Sequence, residues 1–248
     1  MGTAHEDPDL RHLQRTPVGA QYVSQITAQE SDRRARAAYR ELVLRTVPAG
    51  AALFDFGAGP GIDARFFGER GFTVDAYDVD PRMRKFFAEH CAQLMAGGRV
   101  RLDGRSYAHF LTGTTPEPRQ CVDLVLSNFA PLNLVDDLGG LFEKFHALTA
   151  PQGKVLASVL NPCFIAELRS RWWWRGAPRL WRDGELFLPG PQAPHYRRLL
   201  RHYRAASAPH FQLSRVYGCD LRRGGRLAPL QLAACRYLFL LFERSAGP

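Results

Sequence analysis

Two kinds of hydrophobic pattern alternate along the middle of the chain. Short continuous apolar runs are typical of strands that are buried on both faces of a parallel sheet, whereas apolar residues that recur every three or four positions indicate amphipathic helices. The runs predict strands at 51–56, 73–77, 99–102, 122–127 and 154–160, and the periodic segments predict helices at 62–69, 82–95, 107–111 and 138–148. Strands that alternate with helices imply a doubly wound α/β fold with right-handed crossovers.

The pattern changes at both ends of this alternation. Ser31 and Asp32 are predicted to cap a helix before the first strand, and residues 151–153 are predicted to form a turn before the fifth. After the fifth strand, residues 163–194 fit no single regular element, and 195–206 are predicted to form a helix. The last third of the chain therefore departs from a simple repeat of strand and helix.

Two further strands are predicted near the end of the chain, because residues 211–221 alternate in the manner of a strand and residues 235–243 are strongly apolar. They are separated by a turn region at 222–225 and not by a helix, so we expect them to pair as an antiparallel hairpin at the edge of the sheet. With the five earlier strands they make a mostly parallel, seven-stranded, Rossmann-like sheet. A length of 248 residues suits one α/β domain with an elaboration.

Composition narrows the class of protein. Hydrophobic residues make up 46% of the chain and aromatic residues 11%, which is ordinary for a globular protein. No secretory signal pattern is visible, and the longest apolar region, 227–242, is interrupted by polar residues and is too short to span a bilayer. The five cysteines are dispersed without a C-x-x-C pair, which is typical of reduced thiols. We therefore expect a cytoplasmic protein.

The net charge of +9 is unevenly distributed. Residues 1–150 hold 17 Lys and Arg against 19 Asp and Glu, whereas residues 151–248 hold 16 against 5, a net charge of +11. A basic second half is consistent with an acidic partner, and equally with a solvated arginine-rich surface. The sequence leaves both interpretations open.

Three closely spaced glycines, Gly57, Gly59 and Gly61, follow the first strand. Glycine tolerates positive φ and has no Cβ, so such a turn lets backbone N–H groups approach a ligand closely. Asp78 ends the second strand, where an acidic side chain can accept hydrogen bonds from a ribose. The spacing differs from the G-x-G-x-x-G of dinucleotide folds, and no G-K-[ST] sequence follows as a P-loop requires. These residues predict a nucleoside cofactor without a pyrophosphate.

Four motifs carry a resemblance to a known family. Residues 55–61 (DFGAGPG) resemble motif I of the class I S-adenosylmethionine-dependent methyltransferases, and residues 76–81 (AYDVDP) resemble the second motif of that family. Residues 121–128 are similar to its fourth-strand motif, and residues 148–155 to the L-x-P-G-G-x-L entry to its fifth strand. The motifs span roughly 51–160 in the order and spacing of the family.

The resemblance implies S-adenosylmethionine as the cofactor, with S-adenosylhomocysteine as the product. It places Asp78 at the two ribose hydroxyls and Asp55 at the methionine ammonium group. Ser106 stands where many members carry an acid that contacts adenine. The cofactor-binding residues implied in this way are Asp55, Gly57, Ala58, Gly59, Gly61, Asp78, Val79, Ser106, Tyr107, Asn128 and Phe129.

The resemblance also divides the single domain by role. It implies an N-terminal arm and helix at 1–50, a cofactor-binding core at 51–160, an acceptor lid inserted at 161–210 and a terminal hairpin at 211–248 that completes the sheet. Similar enzymes carry such a lid over the molecule that receives the methyl group.

Candidate acceptor and catalytic residues lie in this lid and in the loop after the fourth strand. Trp173 and Trp174 belong to a run of three tryptophans flanked by arginines, which could line an apolar acceptor pocket, touch a membrane surface or pack the lid on the core. Asn133 is the acceptor-binding candidate in the loop. His195 and Tyr196 are candidates for the base that a phenol-type oxygen acceptor needs. No His, Cys or Asp cluster has metal-ligand spacing, so no metal is expected.

The predicted function is methyl transfer to an oxygen of a small apolar or aromatic biosynthetic intermediate, either free or bound to an acidic carrier. One alternative is an RNA methyltransferase that uses the basic half of the chain. Residues 128–131 lack the paired prolines of the [DNS]-P-P-[YFW] motif, so nucleic acid is not the expected partner. The other alternative is a non-catalytic protein of the same fold that binds the cofactor or a partner. The oligomeric state stays open.

Overall fold

The structure is a computed structural model that describes residues 30–113, 121–188, 195–219 and 232–245. The predicted N-terminal arm and the turn region at 222–225 lie outside the described residues.

Eight α-helices and nine strands are found in the described residues. The helices are α1 (Glu30–Thr46), α2 (Ile62–Gly68), α3 (Pro81–His90), α4 (Ala92–Ala96), α5 (Tyr107–Thr112), α6 (Leu138–Leu148), α7 (Arg171–Asp183) and α8 (Leu200–Ser207). The strands are β1 (Ala52–Phe56), β2 (Thr73–Tyr77), β3 (Val100–Asp103), β4 (Val122–Ser127), β5 (Thr149–Leu160), β6 (Glu185–Leu188), β7 (His195–Arg198), β8 (Phe211–Gly218) and β9 (Tyr237–Arg244). Short 3₁₀ turns lie at Pro131–Asn133 and Ile165–Arg169.

Seven of the strands form one sheet in the order β3-β2-β1-β4-β5-β9-β8. The first five are parallel, and β9 runs antiparallel to both β5 and β8. The predicted doubly wound sheet with an antiparallel terminal hairpin is therefore confirmed. Because β9 is inserted between β5 and β8, it is paired on both sides and β8 forms the edge of the sheet.

Hydrophobic cores cover both faces of this sheet. Successive residues of β9 point to opposite sides, so that Phe239 belongs to one core cluster and Leu240 and Phe242 belong to the other. The first core includes Tyr39 of α1, and the second includes Phe145 of α6. Burial on both faces explains why the strands have continuous apolar sequences and do not alternate.

Residues 195–198 form the strand β7 and not the start of the predicted helix. They pair antiparallel with β6 in a separate two-stranded sheet, with His195 opposite Leu188 and Arg198 opposite Glu185. The helical spacing of the apolar residues holds only from Leu200 onward, where α8 begins.

Within the segment predicted to be irregular, residues 163–188 are described and are more regular than their sequence indicated. The three consecutive tryptophans lie in α7, a helix of 13 residues that ends at Gly184 with φ 84°. Leu186 of β6 packs against Gly176 of α7, where a Cβ would lie 2.2 Å from the Leu186 Cδ2 atom. This close approach joins α7 to the β6–β7 sheet.

Three smaller differences concern element boundaries. The helix predicted at 82–95 is divided at Cys91 into α3 and α4. Residues 151–153 belong to β5, where the pairing with β4 shifts between Val122 and Leu124. Helix α1 includes Glu30, so Ser31 and Asp32 lie inside its first turn and do not cap it.

Candidate cofactor and acceptor site

The glycine turn joins the end of β1 to the start of α2. Gly57 and Gly59 have φ values of 73° and 55°, which side chains with a Cβ adopt only rarely. A Cβ on Gly57 would lie 2.5 Å from the Pro131 ring, so the turn is packed tightly on one side. At Gly59 a Cβ would meet nothing within 4 Å, so this side of the turn is open to a ligand.

Asp78 connects the end of β2 to the glycine turn. Its carboxylate accepts hydrogen bonds from the backbone N–H of Gly59 at 2.7 Å and from that of Asp80 at 2.8 Å. Burial raises the pKa of Asp78 to about 6, although the two N–H donors act in the opposite direction. Each carboxylate oxygen retains a second lone pair, so the side chain can still accept ligand hydroxyls.

Asp55 is the more isolated of the two carboxylates. It lies in β1 and is 2% exposed, and its Oδ2 atom has no hydrogen-bond partner in the structure. Burial first, and then the negative charge of Asp63, raise the pKa of Asp55 well above its usual range. Burying a carboxylate without a partner costs free energy, and a ligand cation at this position would lower that cost.

Asp63 of α2 is a buried anion with three partners. Arg36 and Arg40 of α1 approach its carboxylate at 2.5 and 2.6 Å, and the Asn128 Nδ2 atom donates to it at 2.9 Å. The Arg36 guanidinium also lies over the Phe129 ring, 4.4 Å from its centroid. This network brings α1 and α2 to the end of β4.

The residues that follow β4 form a strained turn. Phe129 and Ala130 have φ values of 62° and 68°, in the left-handed region that residues other than glycine avoid. Asn128 supports the turn, because its Oδ1 atom accepts the Phe129 N–H at 2.9 Å. The Ala130 N–H donates to the carbonyl of Ser158 in β5 at 3.0 Å. The turn directs the Phe129 ring toward Tyr237 of β9, with 5.5 Å between the ring centroids.

These elements enclose a cleft with about 320 Å³ of empty space, part of it open to solvent. Its lining residues are Arg36, Asp55, Gly57, Ala58, Gly59, Pro60, Ile62, Asp63, Asn128 and Phe129. The motifs named six of these residues. They did not include Arg36 and Asp63, because Arg36 lies on a helix before the first motif and Asp63 follows the last motif glycine.

The remaining cofactor candidates, and Asp78, are not among the residues that line this cleft. Gly61 precedes α2 and Val79 follows Asp78, with the Val79 side chain half-buried. Ser106 caps α5 by accepting the His109 N–H at 3.3 Å, and the Tyr107 ring packs against Phe56. The predicted adenine contacts of Ser106 and Tyr107 stay predictions.

The two catalytic candidates, His195 and Tyr196, are consecutive residues of β7. The Tyr196 hydroxyl donates to Asp136 at 2.7 Å, and burial together with this bond raises the pKa of Tyr196 to about 12. At neutral pH Tyr196 is therefore protonated and is unsuited to act as a base. His195 starts the strand, opposite Leu188.

The acceptor candidates have different surroundings. Asn133 is fully buried and connects three elements, because its Nδ2 atom donates to the Tyr196 carbonyl at 2.6 Å and its Oδ1 atom accepts the Leu160 N–H at 3.0 Å. We therefore assign Asn133 no acceptor contact. The Trp173 indole donates to the Pro162 carbonyl at 2.8 Å, whereas Trp174 is 66% exposed.

The described residues contain neither a metal-binding cluster nor a membrane-spanning helix. In these parts of the chain, no group of three or more His, Cys, Asp or Glu residues could hold a metal ion. None of the helices described is both long enough and apolar enough to cross a membrane.

Sequence comparison decides the family. A model of a methyltransferase domain matches residues 31–213, which is most of the chain. The chain belongs to the class I S-adenosylmethionine-dependent methyltransferase family. The glycine turn and Asp78 are thus parts of a methyltransferase, and its cofactor is S-adenosylmethionine.

Solved structures with the same fold are similar along nearly the whole chain. The N-methyltransferase NodS from Bradyrhizobium japonicum, in complex with S-adenosylhomocysteine, has a TM-score of 0.63 and 12% identity over 97% of this chain and 100% of its own. The 1,6-didemethyltoxoflavin-N1-methyltransferase from Burkholderia thailandensis has a TM-score of 0.59 and 18% identity over 99% and 94%. CcbJ from Streptomyces caelestis has a TM-score of 0.61 and 15% identity over 88% and 97%. No curated protein matches the sequence significantly.

Proposed function

We propose that this methyltransferase methylates an acidic oxygen, a phenol or a carboxylate, on a small aromatic or apolar molecule that is free or attached to an acidic carrier. The acceptor lies against the rings of Phe129 and Tyr237, under the insertion at 161–210. The proposal rests chiefly on the aromatic surface that Phe129 and Tyr237 form beside the cleft, with Arg236 lying 5.5 Å from the centroid of the Tyr237 ring.

The residues of the cleft fit the cofactor. When bound, S-adenosylmethionine supplies an electrophilic methyl group on a sulfonium sulfur that leaves with the bonding electrons. Asp55 holds the methionine ammonium group, which gives its Oδ2 atom the partner that it lacks. Asp78 accepts the ribose hydroxyls, and the open side of Gly59 leaves room for the sugar. Arg36 has further N–H donors beyond its bond to Asp63 and holds the methionine carboxylate.

The charges near Tyr237 favour an anionic oxygen. Arg236, Arg197 and Arg36 all act to lower the pKa of the Tyr237 hydroxyl, and Asp32 opposes them. Burial outweighs the three arginines, so the pKa of Tyr237 is raised overall. Arg236 is exposed and lies 5.5 Å from the centroid of the Tyr237 ring, so an acceptor anion that packs on this ring has a cation next to it, which stabilises its deprotonated form.

An acceptor that binds as an anion has already lost the proton that a base would otherwise remove. This accounts for catalysis without Tyr196, whose hydroxyl is protonated and donates to Asp136. The cleft then contributes to catalysis mainly because it holds the acceptor oxygen in line with the methyl group and excludes water. A role for His195 as a base stays a prediction.

The test uses aromatic acceptors that share one ring and differ only in a hydroxyl, carboxyl or amino group. We expect tritiated methyl groups from S-adenosylmethionine to reach the hydroxyl or carboxyl compounds in preference to the amine. Arg236→Gln should lower kcat/KM for the preferred acceptor by roughly tenfold, since one charge near a partly buried anion is worth about 1–2 kcal/mol. Its affinity for S-adenosylhomocysteine, measured by calorimetry, should not change.

Arg204→Gln is the matched control, because Arg204 is an exposed arginine of α8. The proposal is wrong if the amine is the best acceptor, or if both substitutions lower kcat/KM equally. Asp55→Asn tests the cofactor assignment separately, because it should weaken S-adenosylhomocysteine binding whatever the acceptor is.

A further inference from the structure

Helix α7 concentrates one kind of side chain. All four tryptophans of the chain lie within its 13 residues, at Trp172, Trp173, Trp174 and Trp181. The same helix carries four arginines and a single acidic residue, so its net charge is +3. Neither the glycine turn nor the cleft uses this combination of aromatic and cationic side chains.

The helix has one face toward the protein and one toward solvent. Gly176, Ala177 and Leu180 are buried against the β6–β7 sheet and its surroundings. Trp174, Pro178 and Trp181 follow one another at i, i+4 and i+7, so they form an apolar stripe on the outer face. Trp174 is 66% exposed and Trp181 is 54% exposed. The two rings are about 10 Å apart along the helix axis, from 1.5 Å per residue.

Arginines line one side of this stripe. Arg171, Arg175 and Arg182 are exposed at positions that share a flank of the helix. Arg182 pairs with the neighbouring Asp183 at 2.7 Å. Within the described parts of the chain, Arg171 and Arg175 form no ion pair. The outer face therefore offers cations with no protein counter-charge next to exposed indole rings.

Hydrogen bonds to backbone carbonyls fix the indole rings of Trp173 and Trp174. The indole N–H of Trp174 donates to the Leu168 carbonyl at 2.7 Å, and the Trp173 N–H is held by Pro162. The Trp174 ring also contacts the Trp173 ring edge to face, with 5.0 Å between the centroids. The polar atom of Trp174 is thus satisfied internally, and its apolar ring is the part left uncovered.

We propose that the outer face of α7 binds the surface of an anionic phospholipid bilayer. Indole rings lie favourably at the boundary between lipid chains and headgroups, and guanidinium groups bind phosphates through paired N–H donors. Charge complementarity favours this partner, because each cation near an anionic leaflet adds to binding. A second copy of the chain is disfavoured, since a symmetric contact would place two faces of the same positive charge against each other.

The tryptophan fluorescence of the protein tests this directly, because every tryptophan lies on α7. The full chain is titrated with vesicles that contain 30% phosphatidylglycerol in phosphatidylcholine, and with vesicles of phosphatidylcholine alone. We expect a blue shift of the emission and quenching by brominated lipid with the anionic vesicles, and neither effect with the neutral ones. Salt should weaken the binding, because it screens the arginines.

Two pairs of substitutions locate the surface. Arg171→Gln with Arg175→Gln should lower the vesicle partition coefficient roughly 30-fold, whereas Arg33→Gln with Arg34→Gln, which removes the same charge from α1, should change it less than threefold. Trp181→Ser should lower binding to anionic vesicles, and Leu44→Ser, at another exposed apolar residue, should not.

Several outcomes would overturn the proposal. Absence of binding to anionic vesicles at low salt would do so, as would equal losses for the two arginine pairs. A concentration-dependent self-association that Trp181→Ser abolishes would assign the face to a second copy. A blue shift with polyglutamate but not with vesicles would assign it to an acidic protein.

Discussion

The two buried carboxylates of the cleft differ in what surrounds them. Asp78 accepts two backbone N–H groups, and its pKa is raised only to about 6. Asp55 has one oxygen without a partner, and burial first, and then the negative charge of Asp63, raise its pKa well above the usual range. Backbone donors therefore favour the ionised form of Asp78, and a ligand cation would do the same for Asp55.

Cofactor affinity should depend on pH through Asp78. The ionised carboxylate accepts both ribose hydroxyls, and the protonated form loses an acceptor site. Because the folded-state pKa is about 6, affinity is full above this value and falls as the pH decreases through it. We expect calorimetry with S-adenosylhomocysteine to show about tenfold weaker binding at pH 5 than at pH 7, because the ionised fraction of Asp78 falls by about tenfold between these pH values.

Asp78→Asn serves as the control for this pH dependence. Asparagine cannot titrate, so the variant should bind weakly at both pH values and with a smaller change between them. An unchanged pH profile in the variant would show that another group, such as Asp55, is responsible.

At the scale of single elements, the turn Asn128–Ala130 is held in an unfavourable conformation by its neighbours. The hydrogen bonds from Asn128 to Asp63 and from Ala130 to Ser158 fix it at both ends. Strain of this kind persists where the surrounding structure determines the backbone, and here it directs Phe129 toward Tyr237.

Ala130→Gly should change the free energy of unfolding by less than about 0.5 kcal/mol. Glycine relieves the left-handed backbone, which offsets the lost methyl group and the greater freedom of the unfolded chain. The same substitution at Ala37, exposed in the interior of α1, should destabilise the protein by about 1 kcal/mol. Urea denaturation of both variants measures the difference. Equal losses of stability in the two variants would show that the backbone of Ala130 is not strained.

At the scale of the whole molecule, Arg198 attaches the insertion to the core. Its fully buried guanidinium donates to the carbonyls of Leu132 at 2.9 Å and Val135 at 2.8 Å, and its Nε atom pairs with Glu185 at 2.9 Å. Arg198 thus joins β6 and β7 to the loop that follows β4, together with the hydrogen bonds between Asn133 and the Tyr196 carbonyl and between the Tyr196 hydroxyl and Asp136.

Arg198→Met should loosen this attachment while the central sheet stays folded. Methionine keeps most of the volume but leaves the two carbonyls and Glu185 without their partner, at a cost of about 3 kcal/mol. By hydrogen exchange, we expect the amides of β6 and β7 to exchange roughly a hundredfold faster, with β1 and β4 unaffected. Arg204→Gln, at an exposed arginine of α8, is the control. Unchanged protection of β6 and β7 in Arg198→Met would refute the role of Arg198.

Local patterns alone determined the central part of this protein. Strands β1 to β5, the glycine turn and Asp78 were all predicted near their observed positions. Each depends on information that lies within a few residues: a continuous apolar run for a strand buried on both faces, and glycines where φ is positive. The family motifs summarise the same short-range requirements.

The tertiary structure decided which distant segments meet. Residues 195–198 look helical in isolation, but they form a strand because β6 offers a partner and the core accepts Arg198. Arg36 and Asp63 are 27 positions apart and share one ion pair, and Tyr237 reaches Phe129 only because β9 inserts beside β5. The spacing of apolar residues indicates which face of an element is buried, but it does not indicate which other segment packs against that face. The sequence motifs therefore predicted the cofactor, whereas only the packing of distant segments determined which residues surround the acceptor.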